Sequence, residues 1–282
     1  MASSVGELVD LLDLEQIEDD IFRGSSPPEQ RLRVFGGQVA AQALVAATRT
    51  VPEQRPVHSL HAYFLKPGDV GAPIVYLVDR IRDGRSFTTR RVVAIQHGVA
   101  IFNMSASFQV REEGLEHHLD MPDVPDPESL PPFVERMRQK YGDDLPEHMT
   151  RRRAIDIRYC ESAKVERGRP ATANVWMRAD GELPDDYRIH AAVLAYATDY
   201  TLTDTVMRPH GVHWLQPGVM TASLDHCVWF HRDARADRWW LYAQDSPTAG
   251  GARGLARGSI FLRDGQLACS VTQEIVLRTP RD

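Results

Sequence analysis

Hydrophobic and polar positions along the chain follow two periods, one helical and one of strand type. In "SVGELVDLL", residues 4–12, Val5, Leu8, Leu11 and Leu12 recur at helical spacing, and Ser4 stands three residues before Glu7, which predicts a short helix opened by a capping box. "FGGQVAAQALVAATRT", residues 35–50, is Ala-rich and apolar nearly all round, so it predicts a helix enclosed on most sides. Strand patterns follow at residues 57–65, 73–84, 86–98 and 99–110, the last two joined across a His97-Gly98 turn. Residues 111–155 are rich in acid and proline with no sustained period, which predicts a linker carrying one helix. The first pattern then returns: a second Ala-rich helix at 188–202, and strands at 219–231, 238–246, 254–265 and 266–278.

The ends of the two halves align without a gap. Setting His97-Gly98 over Asp264-Gly265 places Arg90 over Arg257. The inward face Ala100, Phe102, Met104, Ala106, Phe108 and Val110 then lies over Leu267, Cys269, Val271, Gln273, Ile275 and Leu277. Only the pair Ala106/Gln273 breaks the apolar match. A repeated unit of one buried helix followed by antiparallel strands predicts an α+β protein of two tandem hotdog folds, each a sheet wrapped round a central helix. The expected division is an N-terminal hotdog at 1–115, a linker at 116–155 and a C-terminal hotdog at 156–282.

Polar residues inside these apolar patterns are the candidates for chemistry. Gln273 sits mid-face in a core strand, where an unpartnered amide costs about 1–3 kcal/mol. Asp199 is the only formally charged residue between Ile189 and Leu202. It reads either as a cap for the following turn or as a second polar group facing Gln273, and two unexpected polar groups in one repeat are best explained by each other. In "VMTASLDHCVWFH" the even positions Met220, Ala222, Leu224, Val228 and Phe230 are apolar apart from His226, whereas Thr221, Ser223 and Asp225 are odd. Ser223 or Thr221 can join an interior cluster or face solvent, and the alternation favours solvent.

Charge and composition narrow the function. A net charge of −6 with mixed signs spread along the chain argues against a nucleic-acid surface. Three cysteines, Cys160, Cys227 and Cys269, without a CxxC pair suit a reducing cytoplasm. With no apolar run near 20 residues and an acidic N-terminus, neither a membrane span nor secretion is expected. No GxSxG, HExxH, P-loop or strand-linked GxGxxG is present. His58/His61 and His226/His231 fall on opposite strand faces and cannot chelate a metal as pairs, so no metal and no cofactor are expected; His58 alone is kept as a candidate acid or base. "GGARGLARG", residues 250–258, reads as a flexible loop whose Arg253 and Arg257 are either solvated or grip a phosphate.

With these residues in view, the chain resembles the acyl-CoA thioesterase II (TesB-type) family, which has a double-hotdog fold. The likeness runs through "IFRGSSP", "VFGGQVAAQAL", "VHSLHAYFLKPGD", "RDGRSFTTRRV", "IFNMSASFQ", "PDDYRIHAAVLAYATDY", "LDHCVWFHR" and "ARGLARG". The resemblance implies an acyl-CoA substrate and a homo-oligomer; with that substrate the phosphate grip read for Arg253 and Arg257 becomes contacts to the CoA phosphates, and the cysteine usage places the enzyme in the cytoplasm. In the family a helix Asp, a strand Thr or Ser and a strand Gln hold the hydrolytic water; carried over, they fall on Asp199, Ser223 and Gln273. The glycine-rich turn at 35–38 is a candidate oxyanion donor. Two alternatives stay open, a hotdog enoyl-CoA hydratase or dehydratase using His58 and a non-catalytic acyl-CoA binder. Because Gln273→Ala copies Ala106, the repeat also predicts that this variant keeps its melting temperature.

Overall fold

The computed structural model describes residues 1–27 and 33–280; the last two residues of the expected C-terminal unit lie outside them. The first helix, α1 (Val5–Leu12), is capped by Ser4, whose Oγ accepts the Glu7 N–H at 3.2 Å. Glu7 completes the motif one residue early, accepting the N–H and hydroxyl of Ser3 at 2.8 Å. Two short strands, β1 (Glu15–Glu18) and β2 (Ile21–Gly24), precede α2 (Gly36–Thr48). Strands β3 (Val57–Phe64), β4 (Ile74–Asp83), β5 (Phe87–Gln96) and β6 (Val99–Gln109) follow. The second half runs β7 (Ile155–Tyr159), β8 (Thr172–Ala179), helix α5 (Tyr187–Thr198) and helix α6 (Leu202–Met207). It closes with β9 (Met220–Ser223), β10 (Asp225–Phe230), β11 (Trp240–Gly250), β12 (Arg253–Leu262) and β13 (Leu267–Arg278). Between the halves lie a 3-10 turn (Pro127–Ser129) and two helices, α3 (Phe133–Tyr141) and α4 (Glu147–Thr150), where the sequence predicted one.

All strands pair antiparallel into one sheet, ordered β1-β2-β4-β5-β6-β3-β10-β13-β12-β11-β8-β7, with β9 also on β13. The order β2-β4-β5-β6-β3 in the first half equals β8-β11-β12-β13-β10 in the second, and each half inserts its Ala-rich helix between the first and last of these strands. The duplication is therefore real: two hotdogs share one sheet across the β3–β10 seam, where Leu60 faces Val228 and Ala62 faces His226. The helices α2 and α5 lie against each other inside the sheet. Gly37 at the start of α2 bonds Asp199 at the end of α5, while Tyr187 at the start of α5 donates to the Glu53 carbonyl beyond the end of α2, so they are antiparallel. Alanines Ala40, Ala41, Ala43, Ala192, Ala195 and Ala197 are fully buried, the small side chains that let two enclosed helices approach.

The register corrects the gapless alignment of the halves. His97 and Gly98, both at positive φ, make a two-residue hairpin, whereas the Leu262 N–H bonds the Gln266 carbonyl across Arg263, Asp264 and Gly265, a loop longer by one residue. Strand β5 therefore matches β12 one residue out of step: Arg90 faces Ala106, but Ala256, not Arg257, faces Gln273. The environments differ accordingly. Arg90 is buried against Thr50 and Asp83, while Arg257 is exposed and paired with Asp245.

The glycine-rich stretch 250–258 is likewise no flexible loop but mostly strand β12. Its Gly258 is required for packing, because a Cβ there would stand 2.1 Å from Cε2 of the buried Tyr242. The 116–155 segment is not a plain tether either. It covers a second apolar cluster of Trp176, Trp239, Leu241, Phe261 and Leu267 with Met121, Val124 and Leu130, and Trp176 Nε1 donates to the Pro125 carbonyl at 2.9 Å.

Gly258→Ala should lower stability by about 1–3 kcal/mol through overpacking, whereas Arg257→Ala, which breaks an exposed ion pair, should cost at most about 1 kcal/mol. Chemical denaturation of the two variants beside the parent protein checks the contrast.

Candidate active site

The C-terminal end of α5 and the N-terminal end of α2 meet beside a cavity of about 810 Å³. Its wall is largely apolar, with Phe35, Val39, Phe64 and Phe102 from the first half and Ile157, Tyr159 and Tyr200 from the second. Phe133, Met137 and Met149 join them from the segment between the halves. Asp199 and Ser223 also line it.

Asp199 ends α5, but its side chain does not cap the local turn. Oδ1 accepts the Ser223 hydroxyl at 3.0 Å and Gln273 Nε2 at 2.9 Å, and Oδ2 accepts the Gly37 N–H at 2.9 Å. Gln273 Nε2 also donates to Ser223 Oγ at 2.6 Å. The polar residues singled out in the sequence are thus mutual partners, although they come from α5, β9 and β13. Gln273 is fully buried behind the other two and does not line the cavity.

Simple alternation along one strand would have sent Ser223 outward, and a bulge explains why it points in. Ser223 pairs with Ile275 and Cys227 with Thr272, so four steps of one strand oppose three of its neighbour. The extra residue flips the alternation between β9 and β10. Ser223, at an odd position, and His226, at an even one, both face the interior. His226 is the residue whose role sequence reasoning missed: it is fully buried, and its Nδ1 lies 2.7 Å from Gln273 Oε1 and its Nε2 2.8 Å from Thr198 Oγ1. The clue was present as the one polar side chain on the even face of its strand.

Enclosure sets the electrostatics. Burial pushes the Asp199 carboxyl above the usual aspartate range, opposed by the nearby His226 and by hydrogen bonds from Gln273, Ser223 and Gly37. Burial likewise pushes His226 below the usual imidazole range, against the pull of Asp199. The Gly37 N–H is committed to Asp199, which removes it from the donors available to an oxyanion at the 35–38 turn.

Other candidates fall elsewhere. Arg253 pairs with Glu274 and Arg257 with Asp245 on the exposed face of β12, and neither lines the cavity. Among the described residues, the cations on its wall are Arg33, Lys66, Lys140 and Arg153. His58 Nε2 lies 2.8 Å from Ser107 Oγ, outside the cavity. Among the described residues, no group of three His, Cys, Asp or Glu side chains could hold a metal, and no helix is long and apolar enough to cross a membrane.

Comparison with known proteins fits this arrangement. Residues 25–109 match the family described as "Acyl-CoA thioesterase N-terminal domain" and residues 148–276 that described as "Acyl-CoA thioesterase". The chain is 42% identical over 286 residues to Acyl-CoA thioesterase 2 of Haemophilus influenzae, covering 99% of each. It belongs to the acyl-CoA thioesterase II family. A second thioesterase relative, Acyl-coenzyme A thioesterase 8 of Mus musculus, is 41% identical over 95% of this chain and 88% of its own. The crystal structure of the acyl-CoA thioesterase II TesB2 from Mycobacterium marinum superposes with a TM-score of 0.81 at 42% identity, covering 97% of this chain and 98% of that one.

In this thioesterase the site depends on how closely α2 approaches α5. A Cβ on Gly37 would stand 2.3 Å from the Tyr196 carbonyl oxygen, which belongs to backbone and cannot swing aside. Gly37→Ala should therefore lower the melting temperature, at about 1–3 kcal/mol of stability, and reduce turnover as its N–H moves off Asp199. Melting curves and saturating-substrate rates check both.

Proposed function

We propose that this acyl-CoA thioesterase hydrolyses fatty acyl-CoA to free acid and CoA with a water activated by Asp199 and oriented by Ser223 and Gln273. The observation that carries this reading is the three-way hydrogen bonding of those side chains, with Asp199 and Ser223 open to an apolar cavity. A water at that edge donates one hydrogen to the Asp199 carboxylate and the other to Ser223 Oγ, which leaves a lone pair for the thioester carbon. Gln273 bonds both acceptors and fixes their relative position. As the carbon–oxygen bond forms, the water's proton passes to Asp199; as the tetrahedral intermediate collapses, the carbon–sulfur bond breaks. The departing thiol has a pKa of about 8.5, so it leaves without a strong acid, and Asp199 returns its proton to sulfur or solvent. Burial favours the base: a carboxyl with a raised pKa holds a proton better than an ordinary aspartate.

The apolar wall suits an acyl chain. We assign the CoA phosphates to the cavity-lining cations Arg33 and Lys66 rather than to Arg253 and Arg257, which do not line the cavity. The division at 1–115, 116–155 and 156–282, a cytoplasmic location and a homo-oligomer complete the proposal. Three free thiols support the location.

Asp199→Asn should keep the fold and lose steady-state hydrolysis by at least about 100-fold, the lower end of acid-base contributions. Release of free thiol from an acyl-CoA series, followed with a chromogenic disulfide, measures it. Near-parental turnover would reject the base, and enoyl consumption without thiol release would favour a hydratase.

The ionised carboxylate is the active form, so kcat/KM should fall as the pH drops through a midpoint above the ordinary aspartate value of 3.8. A pH–rate profile checks the limb, which should be missing from the residual activity of Asp199→Asn.

A further inference from the structure

We infer that His226 is a positioning residue for this hydrolysis: its Nδ1–H holds the Gln273 amide with the nitrogen turned toward Asp199 and Ser223. The inference rests on the catalytic reading above.

Proton positions around the site follow from one fixed point. A carboxylate only accepts, so Gln273 must face Asp199 with Nε2, 2.9 Å from Oδ1. Its Oε1 then faces His226 Nδ1 at 2.7 Å, and that ring nitrogen must carry a hydrogen. Burial disfavours the imidazolium, which leaves Nε2 bare; the single Thr198 hydroxyl hydrogen then goes to Nε2 at 2.8 Å in place of the Ala195 carbonyl, 3.1 Å from the same oxygen. The donors run in one direction, Thr198 to His226 to Gln273 to Asp199 and Ser223. Without the imidazole N–H, Oε1 would be buried with no donor, and the amide would lose the contact that anchors it at the end away from Asp199 and Ser223. The charged groups nearest the ring are Asp199 and Asp225.

The duplication supplies an internal control. Leu60 pairs with Ala106 in the first half, and continuing the β10–β13 register from Cys227/Thr272 sets His226 across from Gln273. At this matched cross-strand position the first copy is wholly apolar and the second wholly polar. Polar residues changed as a pair, as expected if each is of use only with the other.

The test compares kcat and KM of His226→Leu, His226→Asn, Gln273→Ala and the double variant His226→Leu/Gln273→Ala, which copies the first half's Leu60/Ala106 pair. His226→Leu should lower kcat about tenfold or more with KM little changed, and His226→Asn, which keeps an N–H near the Nδ1 position, should restore most of it. In the Gln273→Ala background, His226→Leu should cost less than about twofold more, because the group it positions is gone. An active His226→Leu beside a crippled Gln273→Ala would overturn this inference alone. A fully active Gln273→Ala would overturn the hydrolytic reading and this inference with it. If the leucine variant does not fold, ring nitrogen NMR of the parent protein decides: the Nδ1–H tautomer is expected, and an Nε2–H tautomer would overturn it.

Discussion

A carboxylate enclosed between two antiparallel helices is the constraint on which this molecule turns. Asp199 ends α5, where the helix dipole is negative and a second negative charge is unwelcome. Leaving such a charge unpaired would cost several kcal/mol, roughly the scale of breaking a buried ion pair. Two features offset this. The N-terminus of α2 brings its positive end and the Gly37 N–H to Oδ2, and the sheet brings Ser223 and Gln273 to Oδ1. Each donor lies far away in sequence, so the site exists only when both helices and the central strands are seated together. Gly37 shows how tight that seating is, since its missing side chain is what lets α2 reach the Tyr196 carbonyl.

The duplication explains why there is one such site and not two. At the matched cross-strand position the first copy holds Leu60 and Ala106, while the second holds His226 and Gln273. Neither copy is sufficient. The second carries the acid, the hydroxyl and the amide, but the first supplies the helix end that stabilises the carboxylate. The pairing also revises the stability expected of Gln273→Ala. Alone, that change strips a partner from both the buried His226 N–H and Asp199, and each loss carries a desolvation penalty of about 1–3 kcal/mol. The double replacement that copies the first half removes the stranded imidazole N–H as well, and leaves Asp199 to Ser223 and Gly37.

Much of this was legible in the sequence because burial leaves a periodic trace. The two Ala-rich helices, the four long strands of each half and the intrusion of Gln273 and Asp199 were all readable, since each depends on the local 3.6 or 2.0 period. Short strands were not. Strand β1 is exposed throughout and carries no alternation, and β2 and β7 span four and five residues, although Ala173, Val175, Met177 and Ala179 of β8 do alternate. Ser223 was misdirected by a bulge, which one strand's sequence cannot announce because it depends on the partner's register. A hairpin longer by one residue hid in the same way behind an apparently gapless alignment, and carried Arg257 onto the wrong equivalence with Arg90. Arg253 and Arg257 looked like a phosphate grip through glycines of which Gly254 and Gly258 serve packing against Val206 and Tyr242.

Part of the cavity wall comes from a different part of the chain than the polar cluster, and the proposed reaction allows this separation. A thioester needs only a held water and a base, because its thiolate departs readily. Under the proposed mechanism a cluster of four side chains and one backbone N–H is enough, and it is locked by hydrogen bonds among its members. The wall has no such directional demand. Part of it is built by Phe133, Met137 and Met149 from the segment between the hotdogs, where methionines adapt their shape to what they contact. That segment is fastened to the outer sheet face by Trp176 and by Arg263 with Asp126 and Glu128, contacts remote in kind from Asp199. Replacing wall residues there changes volume and apolar contact without removing a donor from the carboxylate, so under the proposed mechanism the intervening segment can reshape the cavity while the duplicated core keeps the polar cluster intact.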